Sequence, residues 1–345
     1  IADKPDSQWR GVMLDLARCY HEMEHLYAVA DLCWLLKINR LQLHFTDDCA
    51  VRFPFISVPK AVSKKHHTKQ ELAEFAAYCK ERGIVIVPEI DAPGHFWAFS
   101  KAYPALFGLK PDGLQGAEGN LSSIMRVDSS VFDTLKAMYA EVAEVFPDSP
   151  WIHIGGDEVS TSQWSRCPDC KALMEREGMK DVGELQDYFT ARMERIVAKY
   201  GKRTGVWNEA AKSGSIDKGS LVYGWERAKA CREVLDKGYT TVVMPGEYFY
   251  FDMRQSQREE GHDWAAIFDV RKTIGFSFED FTPEQMSRVA GVQASFFSEA
   301  YISRREYDYD FLYYQTYPRI CALSEVAWRG EGAQWEEFNA RLLGA

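Results

Sequence analysis

The sequence predicts an α/β protein that folds as a single (β/α)8 TIM barrel, and three observations support this fold class. Short apolar runs typical of β-strands alternate with amphipathic helical patterns along the whole 345-residue chain. Several of these runs are nearly continuous in Val, Ile and Leu, as in strands that are covered on both faces. The first run lacks the Gly-rich phosphate-binding turn that a doubly wound sheet would place after it.

The predicted elements follow a regular order of strand and helix. The eight strands are Gly11–Leu16, Arg40–Phe45, Ile84–Glu89, Trp151–Gly155, Arg203–Trp207, Leu221–Trp225, Thr240–Met244 and Gly291–Phe297. The clearest helices are Glu22–Leu36, Thr68–Arg82, Ser130–Val145, Val182–Tyr200 and Asp310–Trp328. Because no repeat, low-complexity segment or linker interrupts this order, residues 1–345 are predicted to form one domain.

Composition and charge exclude several classes of protein. The chain has 41 Lys and Arg against 51 Asp and Glu, a net charge of −10, with no long basic run. This balance argues against nucleic acid or an anionic membrane surface as a partner. Every apolar stretch is shorter than the roughly 18 residues of a membrane span. The chain begins at Ile1 without a signal-peptide pattern, so it is expected to be a fragment, and its compartment and oligomeric state stay open.

Cysteine and histidine usage predicts neither a metal nor a cofactor. The eight Cys residues do not form the spaced framework of a small disulfide-rich domain. Cys167 and Cys170 form one CPDC string, whereas a zinc site would need a second pair. The His residues are scattered without the spacing of metal ligands.

The barrel fold predicts where the chemistry lies, because catalytic groups of such barrels follow the C-terminal ends of strands. Polar and aromatic residues accumulate at these positions: Arg18, Asp47, Asp48, Asp91, His95, Asp157, Glu158, Trp207, Asn208, Trp225, Glu226, Tyr250, Asp252 and Glu299. Carboxylates beside indole rings suit a neutral, hydroxyl-rich ring such as a sugar. The 10 Trp residues of the chain point the same way, although Trp34, Trp97 and Trp328 lie outside these positions and are expected to pack in the core.

The string HIGGDEV, residues 153–159, is the most informative segment. Two glycines after an apolar strand allow the backbone to approach a ligand closely. Two adjacent carboxylates, Asp157 and Glu158, follow them. Like charges so close together raise the proton affinity of at least one, which keeps a general acid available near neutral pH.

HIGGDEV also resembles the catalytic signature of glycoside hydrolase family 20, the β-N-acetylhexosaminidases. Seven other segments resemble the same family in order: RGVMLDLARCY, LQLHFTDD, VPEIDAPGH, GVWNE, YFDM, DWAAIFDV and GVQASFFSE. Together they run from Arg10 to about Trp328, nearly the whole chain.

The resemblance implies an exo-acting enzyme that removes terminal β-linked GlcNAc or GalNAc with retention of configuration. Family 20 uses the 2-acetamido group of the substrate as the nucleophile, with an oxazolinium intermediate. Glu158 is then implied as the general acid and base, Asp157 as the partner of the acetamido N–H, and Tyr250 as a donor to the acetamido oxygen. No cofactor is implied, and the partner is an oligosaccharide or glycoconjugate substrate.

The other site residues carry over from the resemblance position by position. Arg18 is implied to bind the 3- and 4-hydroxyls, and Glu299 and Asp252 the 4- and 6-hydroxyls. Asp47 and His95 resemble a relay behind the general acid. Trp207, Trp225 and Trp264 are implied to wall the sugar pocket, while Asp48, Asp91, Asn208 and Glu226 are expected to lie behind it.

Three departures from the family pattern leave alternatives open. Phe297 stands where the family commonly has Trp, the loop after Asp48 lacks the usual Gly-Trp-Arg, and the sequence is expected to lack the small α/β domain that usually precedes the barrel. A member that releases a disaccharide, or prefers another 2-acetamido sugar, is therefore one alternative. A catalytically silent sugar-binding barrel is another, but such a protein has no need of a general acid beside an acetamido clamp.

Overall fold

Eight parallel strands close into a barrel, as the sequence predicts. The computed structural model describes residues 3–109, 123–299, 309–330 and 333–344. Its strands are β1 (Trp9–Asp15), β2 (Arg40–His44), β3 (Thr46–Asp47), β4 (Ala50–Val51), β5 (Val85–Glu89), β6 (Trp151–His153), β7 (Arg203–Trp207), β8 (Leu221–Gly224), β9 (Thr240–Val243) and β10 (Val289–Phe296). The barrel order is β1-β10-β9-β8-β7-β6-β5-β2, and β3 pairs with β4 as a separate antiparallel hairpin.

Helices surround this barrel. They are α1 (Met23–Leu35), α2 (Lys69–Glu81), α3 (Trp97–Ala102), α4 (Pro104–Phe107), α5 (Ser129–Val145), α6 (Pro168–Glu177), α7 (Val182–Ala198), α8 (Ala228–Asp236), α9 (Gly246–Phe249), α10 (Val270–Ile274), α11 (Pro283–Met286), α12 (Tyr309–Thr316), α13 (Arg319–Arg329) and α14 (Trp335–Gly344). Two 3₁₀ turns, Thr161–Arg166 and Asn208–Ala211, follow β6 and β7. The start of α2 is fixed by a capping box in which Thr68 and Glu71 bond each other's backbone N–H. Across the described ranges, no helix is long and apolar enough to cross a membrane.

Most predicted boundaries differ from the structure by one or two residues, and two of the differences have identifiable reasons. The helix expected over Asp310–Trp328 is divided into α12 and α13, because Pro318 cannot continue the hydrogen-bond ladder of the first helix. The strand expected over Trp151–Gly155 ends at His153, and the backbone turns at Gly155 and Gly156 with φ of 78° and 95°. That turn places the following carboxylates at the mouth of the barrel.

The barrel interior contains a buried ladder of polar side chains as well as apolar ones. The Trp9 indole donates to Gln293 over 3.0 Å, Gln293 donates to Gln42, and Gln42 donates to Glu89 over 2.8 Å. Glu89 is fully buried and also accepts a hydrogen bond of 2.9 Å from the Trp207 indole. Since buried polar groups are costly unless paired, these bonds hold the ladder in one arrangement that leads from the barrel floor to its mouth.

The expectation that Trp34, Trp97 and Trp328 pack in the core is not met. Trp34 is 58% exposed, near the C-terminal end of α1. Trp97 and Trp328 are half-buried, and each has a lysine ammonium over its ring, at 4.7 Å and 3.9 Å respectively. Amphipathic helix patterns do not distinguish a ring in the core from one that covers the surface beside a lysine.

Candidate active site

The C-terminal ends of the strands surround a cavity of about 380 Å³. Eleven of the twelve site residues predicted from the sequence line it: Arg18, Asp47, His95, Asp157, Glu158, Trp225, Tyr250, Asp252, Trp264, Phe297 and Glu299. His44, Asp91 and His262 complete the lining. The sequence therefore predicted where this cavity lies and most of the residues that line it.

Asp157 and Glu158 lie in a turn of unusual backbone geometry after β6. Gly155 and Gly156 have positive φ, and a Cβ on Gly155 would overlap the carboxylate of Asp91. Glu158 itself has φ of 48°, as does His95, and such values are uncommon for residues with a side chain. The turn gives the two carboxylates different surroundings: the Glu158 side chain is 60% exposed, whereas that of Asp157 is only 14% exposed.

His95 lies among four carboxylates, those of Asp47, Asp48, Asp157 and Glu158, and links the turn to β3. Its Nε2 is 3.3 Å from Glu158 Oε2 and 3.5 Å from Asp157 Oδ2, while its Nδ1 is 3.6 Å from Asp47 Oδ1. Burial alone would lower the pKa of His95, but Asp157, Asp47 and Glu158 together raise it well above its ordinary value. His95 is therefore an imidazolium between the carboxylates, which is the arrangement the resemblance implied for a relay.

The relay continues inward through His44, a residue the sequence analysis did not assign to the site. His44 Nε2 is 3.0 Å from Asp47 Oδ2, and its Nδ1 is 3.0 Å from Glu89 Oε2. Burial opposes the charged ring, yet Glu89 and Asp47 raise the pKa of His44 well above its ordinary value. Opposite charges thus alternate from Glu89 through His44, Asp47 and His95 to the carboxylates at the mouth.

Arg18 closes one side of the cavity with three ion pairs. Its guanidinium lies 3.2 Å from Asp15 Oδ2, 2.8 Å from Asp47 Oδ2 and 3.0 Å from Glu299 Oε1. Despite burial, these carboxylates raise the pKa of Arg18 above its ordinary value. The planar fork of donors is therefore fixed at the side where the resemblance places the 3- and 4-hydroxyls of a sugar.

Aromatic rings form a second wall of the cavity. Tyr250 stacks on Trp225 with centroids 5.9 Å apart, and Trp264 meets Trp225 edge-on at 5.5 Å. Phe297 lies 5.5 Å from Tyr250. Trp207 is not among the lining residues: it is buried 6.4 Å behind Phe297, where its indole N–H bonds Glu89.

Several acidic protons are held in the site by burial and by neighbouring charge. Burial, with Asp252 and Asp157 adding to it, raises the pKa of the Tyr250 phenol well above its ordinary value, so it stays a donor. Burial and Asp157 raise the pKa of Glu209 to about 8, and burial and Glu299 raise that of Asp252 to about 8. Glu209 was not assigned from the sequence. It accepts a 2.8 Å hydrogen bond from the Trp225 indole and so orients that ring.

His262 is the other lining residue that the sequence analysis missed. It lies two residues before Trp264, just outside the DWAAIFDV segment, and its Nε2 is 4.0 Å from Glu299 Oε2. Nothing in spacing or periodicity distinguishes it from an ordinary loop histidine. The one sequence signal that could have identified His262 was its nearness to Trp264, which was predicted to line the pocket.

Some of these residues have the donor types of a metal site. Three groups bring ligand atoms within 4.8 Å of one another: His44, Glu89 and Asp91; Asp47, Asp48 and His95; and Asp91, His95 and Asp157. Several of these side chains already pair with one another: His44 lies 3.0 Å from Asp47 and from Glu89, and His95 lies 3.5 Å from Asp157.

Comparison with known proteins gives consistent matches along the chain. The family model described as "Glycosyl hydrolase family 20, catalytic domain" matches residues 8–331. A protein named beta-hexosaminidase from Akkermansia muciniphila is 33% identical over 99% of this chain and 73% of its own length. A beta-hexosaminidase of Vibrio furnissii is 30% identical over 94% of this chain and 57% of its own.

Solved structures agree in fold. The GH20 exo-β-N-acetylglucosaminidase of Vibrio harveyi, in complex with N-acetylglucosamine, superposes with a TM-score of 0.90 at 28% identity. That match covers 100% of this chain and 58% of the Vibrio protein. A crystal structure of a β-N-acetylhexosaminidase gives 0.89 at 31% identity, covering 100% of this chain and 77% of its own. The chain thus spans a little over half to about three quarters of the proteins named here.

Proposed function

The chain belongs to glycosyl hydrolase family 20, and from this premise we propose that it is an exo-acting β-N-acetylhexosaminidase. Its substrates are oligosaccharides or glycoconjugates with a terminal, non-reducing, β-linked GlcNAc or GalNAc. The observation that carries this proposal is the convergence of Asp157, Glu158 and Tyr250 on one cavity, with Arg18 fixed on its other side.

Substrate assistance follows from what each group can do in this geometry. Asp157 Oδ1 is buried without a hydrogen-bond partner in the described ranges, so it is available to accept from the acetamido N–H. The Tyr250 phenol keeps its proton and donates to the acetamido oxygen, which attacks the anomeric carbon. Glu158, the more exposed carboxyl, protonates the leaving oxygen and later removes a proton from water. An internal nucleophile held in this way can reach an effective molarity of about 10⁵ M or more.

An exo mode of action is supported by the closed end of the cavity. Arg18 and Asp252 lie there as largely buried charged or polar groups, and Arg18 is ion-paired to Asp15 and to the half-exposed Glu299. A chain of sugars cannot continue past them, so the terminal ring alone occupies this end. The aglycone leaves on the side of Glu158 and Trp264, whose side chains are exposed.

A panel of nitrophenyl glycosides tests the proposal. We expect hydrolysis of the β-GlcNAc and β-GalNAc substrates and none of the β-glucoside, which lacks the acetamido nucleophile. A thiazoline analogue of the oxazolinium should inhibit at far lower concentrations than GlcNAc does. Equal rates on the glucoside, or no inhibition by the thiazoline, would contradict substrate assistance.

Phe297 supports a second candidate specificity. It lines the cavity beside Tyr250 where a larger indole is common in the family, so the cavity has extra room at that wall. A lacto-N-biose substrate in the same panel tests disaccharide release. Faster release of lacto-N-biose than of GlcNAc would favour that candidate over the single-sugar one.

A further inference from the structure

Three buried polar atoms at the closed end of the cavity have no hydrogen-bond partner in the described part of the chain. They are His262 Nε2, Glu299 Oε2 and Asp252 Oδ1. All three side chains line the same cavity. Because buried polar atoms are normally paired, a group of unpaired ones that face a cavity indicates a ligand that supplies the missing partners.

His262 is held in place by its backbone. Its N–H donates to the Asp252 carbonyl over 2.9 Å, and its carbonyl accepts from Arg254 N–H over 2.8 Å. Gly261 precedes it with φ of +127°, and a Cβ there would lie 2.8 Å from the Asp252 carbonyl oxygen. The segment that ends at His262 is therefore tied to the loop that carries Asp252, and its ring is presented to the cavity from a fixed position.

The gap between His262 and Glu299 has the size of one bridging oxygen. Nε2 and Oε2 are 4.0 Å apart, too far for a direct hydrogen bond. A hydroxyl oxygen at about 2.8 Å from each can accept from the imidazole N–H and donate to the carboxylate. The other carboxylate oxygen of Glu299 is already paired with Arg18 at 3.0 Å, so Oε2 faces the loop of Asp252.

We propose that His262 and Glu299 together bind the 6-hydroxyl of the terminal sugar, which makes His262 a residue that determines specificity at that position. The inference rests on the proposed function, in which Arg18 takes the 3- and 4-hydroxyls and the loop of Asp252 adjoins the 6-position. Asp15, Asp47 and Glu299 already pair with the single guanidinium of Arg18, so this cation is not free to bind a sulfate or phosphate ester at this hydroxyl. Burial and the nearby Arg18 lower the pKa of His262, so its neutral ring does not offset an added anion.

Three aryl substrates and one substitution test the assignment. The substrates are nitrophenyl β-GlcNAc and its 4-deoxy and 6-deoxy analogues. His262→Ala should lower kcat/KM about tenfold on the parent and on the 4-deoxy analogue, as expected for one lost hydrogen bond. The 6-deoxy analogue lacks the bridging hydroxyl, so His262 has no hydrogen bond to lose on this substrate. The kcat/KM values of wild type and His262→Ala should therefore agree within about twofold on it.

Two further variants make the result specific. His262→Gln keeps an N–H donor and should recover part of the loss on the parent substrate. His66→Ala, at an exposed histidine that bonds only the Ser63 carbonyl among the described contacts, should leave all three rates unchanged. The proposal would be overturned if His262→Ala lost activity equally on all three substrates. It would also be overturned if the variant lost activity only on the 4-deoxy analogue.

Failure of the proposed function gives a different result. In that case wild type itself hydrolyses none of the substrates and does not bind the thiazoline in calorimetry, and the inference falls with it. If wild type is active but His262→Ala is unchanged on the parent, only the inference is overturned. Should the alanine variant fail to fold, the glutamine variant and the thiazoline affinities with and without the 6-hydroxyl give the same comparison.

Discussion

At the scale of single residues, Asp157 and Glu158 show how one turn gives two adjacent carboxylates different surroundings. Asp157 is directed inward, with Asp91, His95 and Glu209 among the ionisable groups whose pKa it shifts. Glu158 is directed to the mouth, where it contacts His95 and solvent. A general acid must reach both the leaving oxygen and water, and Glu158 occupies that position.

Glu158→Gln should therefore remove most of the activity while substrate binding is retained. We expect kcat/KM for nitrophenyl β-GlcNAc to fall by about 10³-fold, since general acid catalysis typically contributes 10²–10⁴-fold. Because a dinitrophenyl leaving group needs less protonation, its cleavage step should lose less. Full activity of the variant on the nitrophenyl substrate would show that Glu158 is not the acid.

Tyr250→Phe should reduce kcat more than it changes KM. The phenol stays protonated and donates to the acetamido oxygen as that oxygen develops charge, a contribution typically worth about 10²-fold in rate. Tyr248→Phe is a matched control, because Tyr248 lies two residues away and does not line the cavity. A similar loss in both variants would indicate a structural effect on α9.

The sequence predicted this site well where a motif brought several residues together and poorly where one residue acted alone. Asp157, Glu158 and Tyr250 lie in strings that also specify a strand end. His44 and Glu209 lie in equally recognisable strings, but their roles depend on contacts with Glu89 and Trp225 from other strands. Such contacts between distant parts of the chain have no local pattern, and neither does the position of His262 beside Glu299.

At the scale of elements, the loop after β9 is the part of the site that depends most on a distant helix. Arg319, near the start of α13, is fully buried and donates to the carbonyls of Phe251, Met253 and Phe268. The same loop carries Tyr250 and Asp252. The proline that divides the predicted C-terminal helix directly precedes Arg319, so the break also places the guanidinium at this loop.

Arg319→Ala should destabilise the protein by about 3 kcal/mol or more, because several buried carbonyls lose a charged donor at once. Urea unfolding followed by circular dichroism measures this change. The stability of Arg319→Lys should lie between that of wild type and that of Arg319→Ala, since an ammonium cannot reach the same set of carbonyls as a planar guanidinium. A loss below about 0.5 kcal/mol in Arg319→Ala would show that the loop is held by other contacts.

At the scale of the whole molecule, the strand order determines where the site lies, and ion pairs between buried side chains link its residues. Because the predicted rhythm of strands and helices was correct, the barrel and its catalytic end followed from the sequence. The β3–β4 hairpin was not predicted, since two-residue strands are too short to show alternation, yet it positions Asp47 between Arg18 and His95. The alternation of acidic and basic side chains from Glu89 to His95 depends on contacts between distant parts of the chain, so the sequence alone does not predict it.

Glu209 makes the stability of the whole barrel depend on pH in a predictable direction. Its pKa is raised to about 8 in the folded state, against about 4.3 for an unfolded Glu. The native state therefore keeps a proton that the unfolded state releases, so this contribution is complete below about pH 4.3 and is lost as pH rises towards 8. Glu209→Gln, which cannot ionise, should become more stable relative to wild type as pH rises from 5 to 8. Thermal unfolding across that range measures the difference, with exposed Glu233→Gln on α8 as control. A Glu209→Gln difference that stays constant with pH would mean that Glu209 is ionised in the folded barrel at every pH tested.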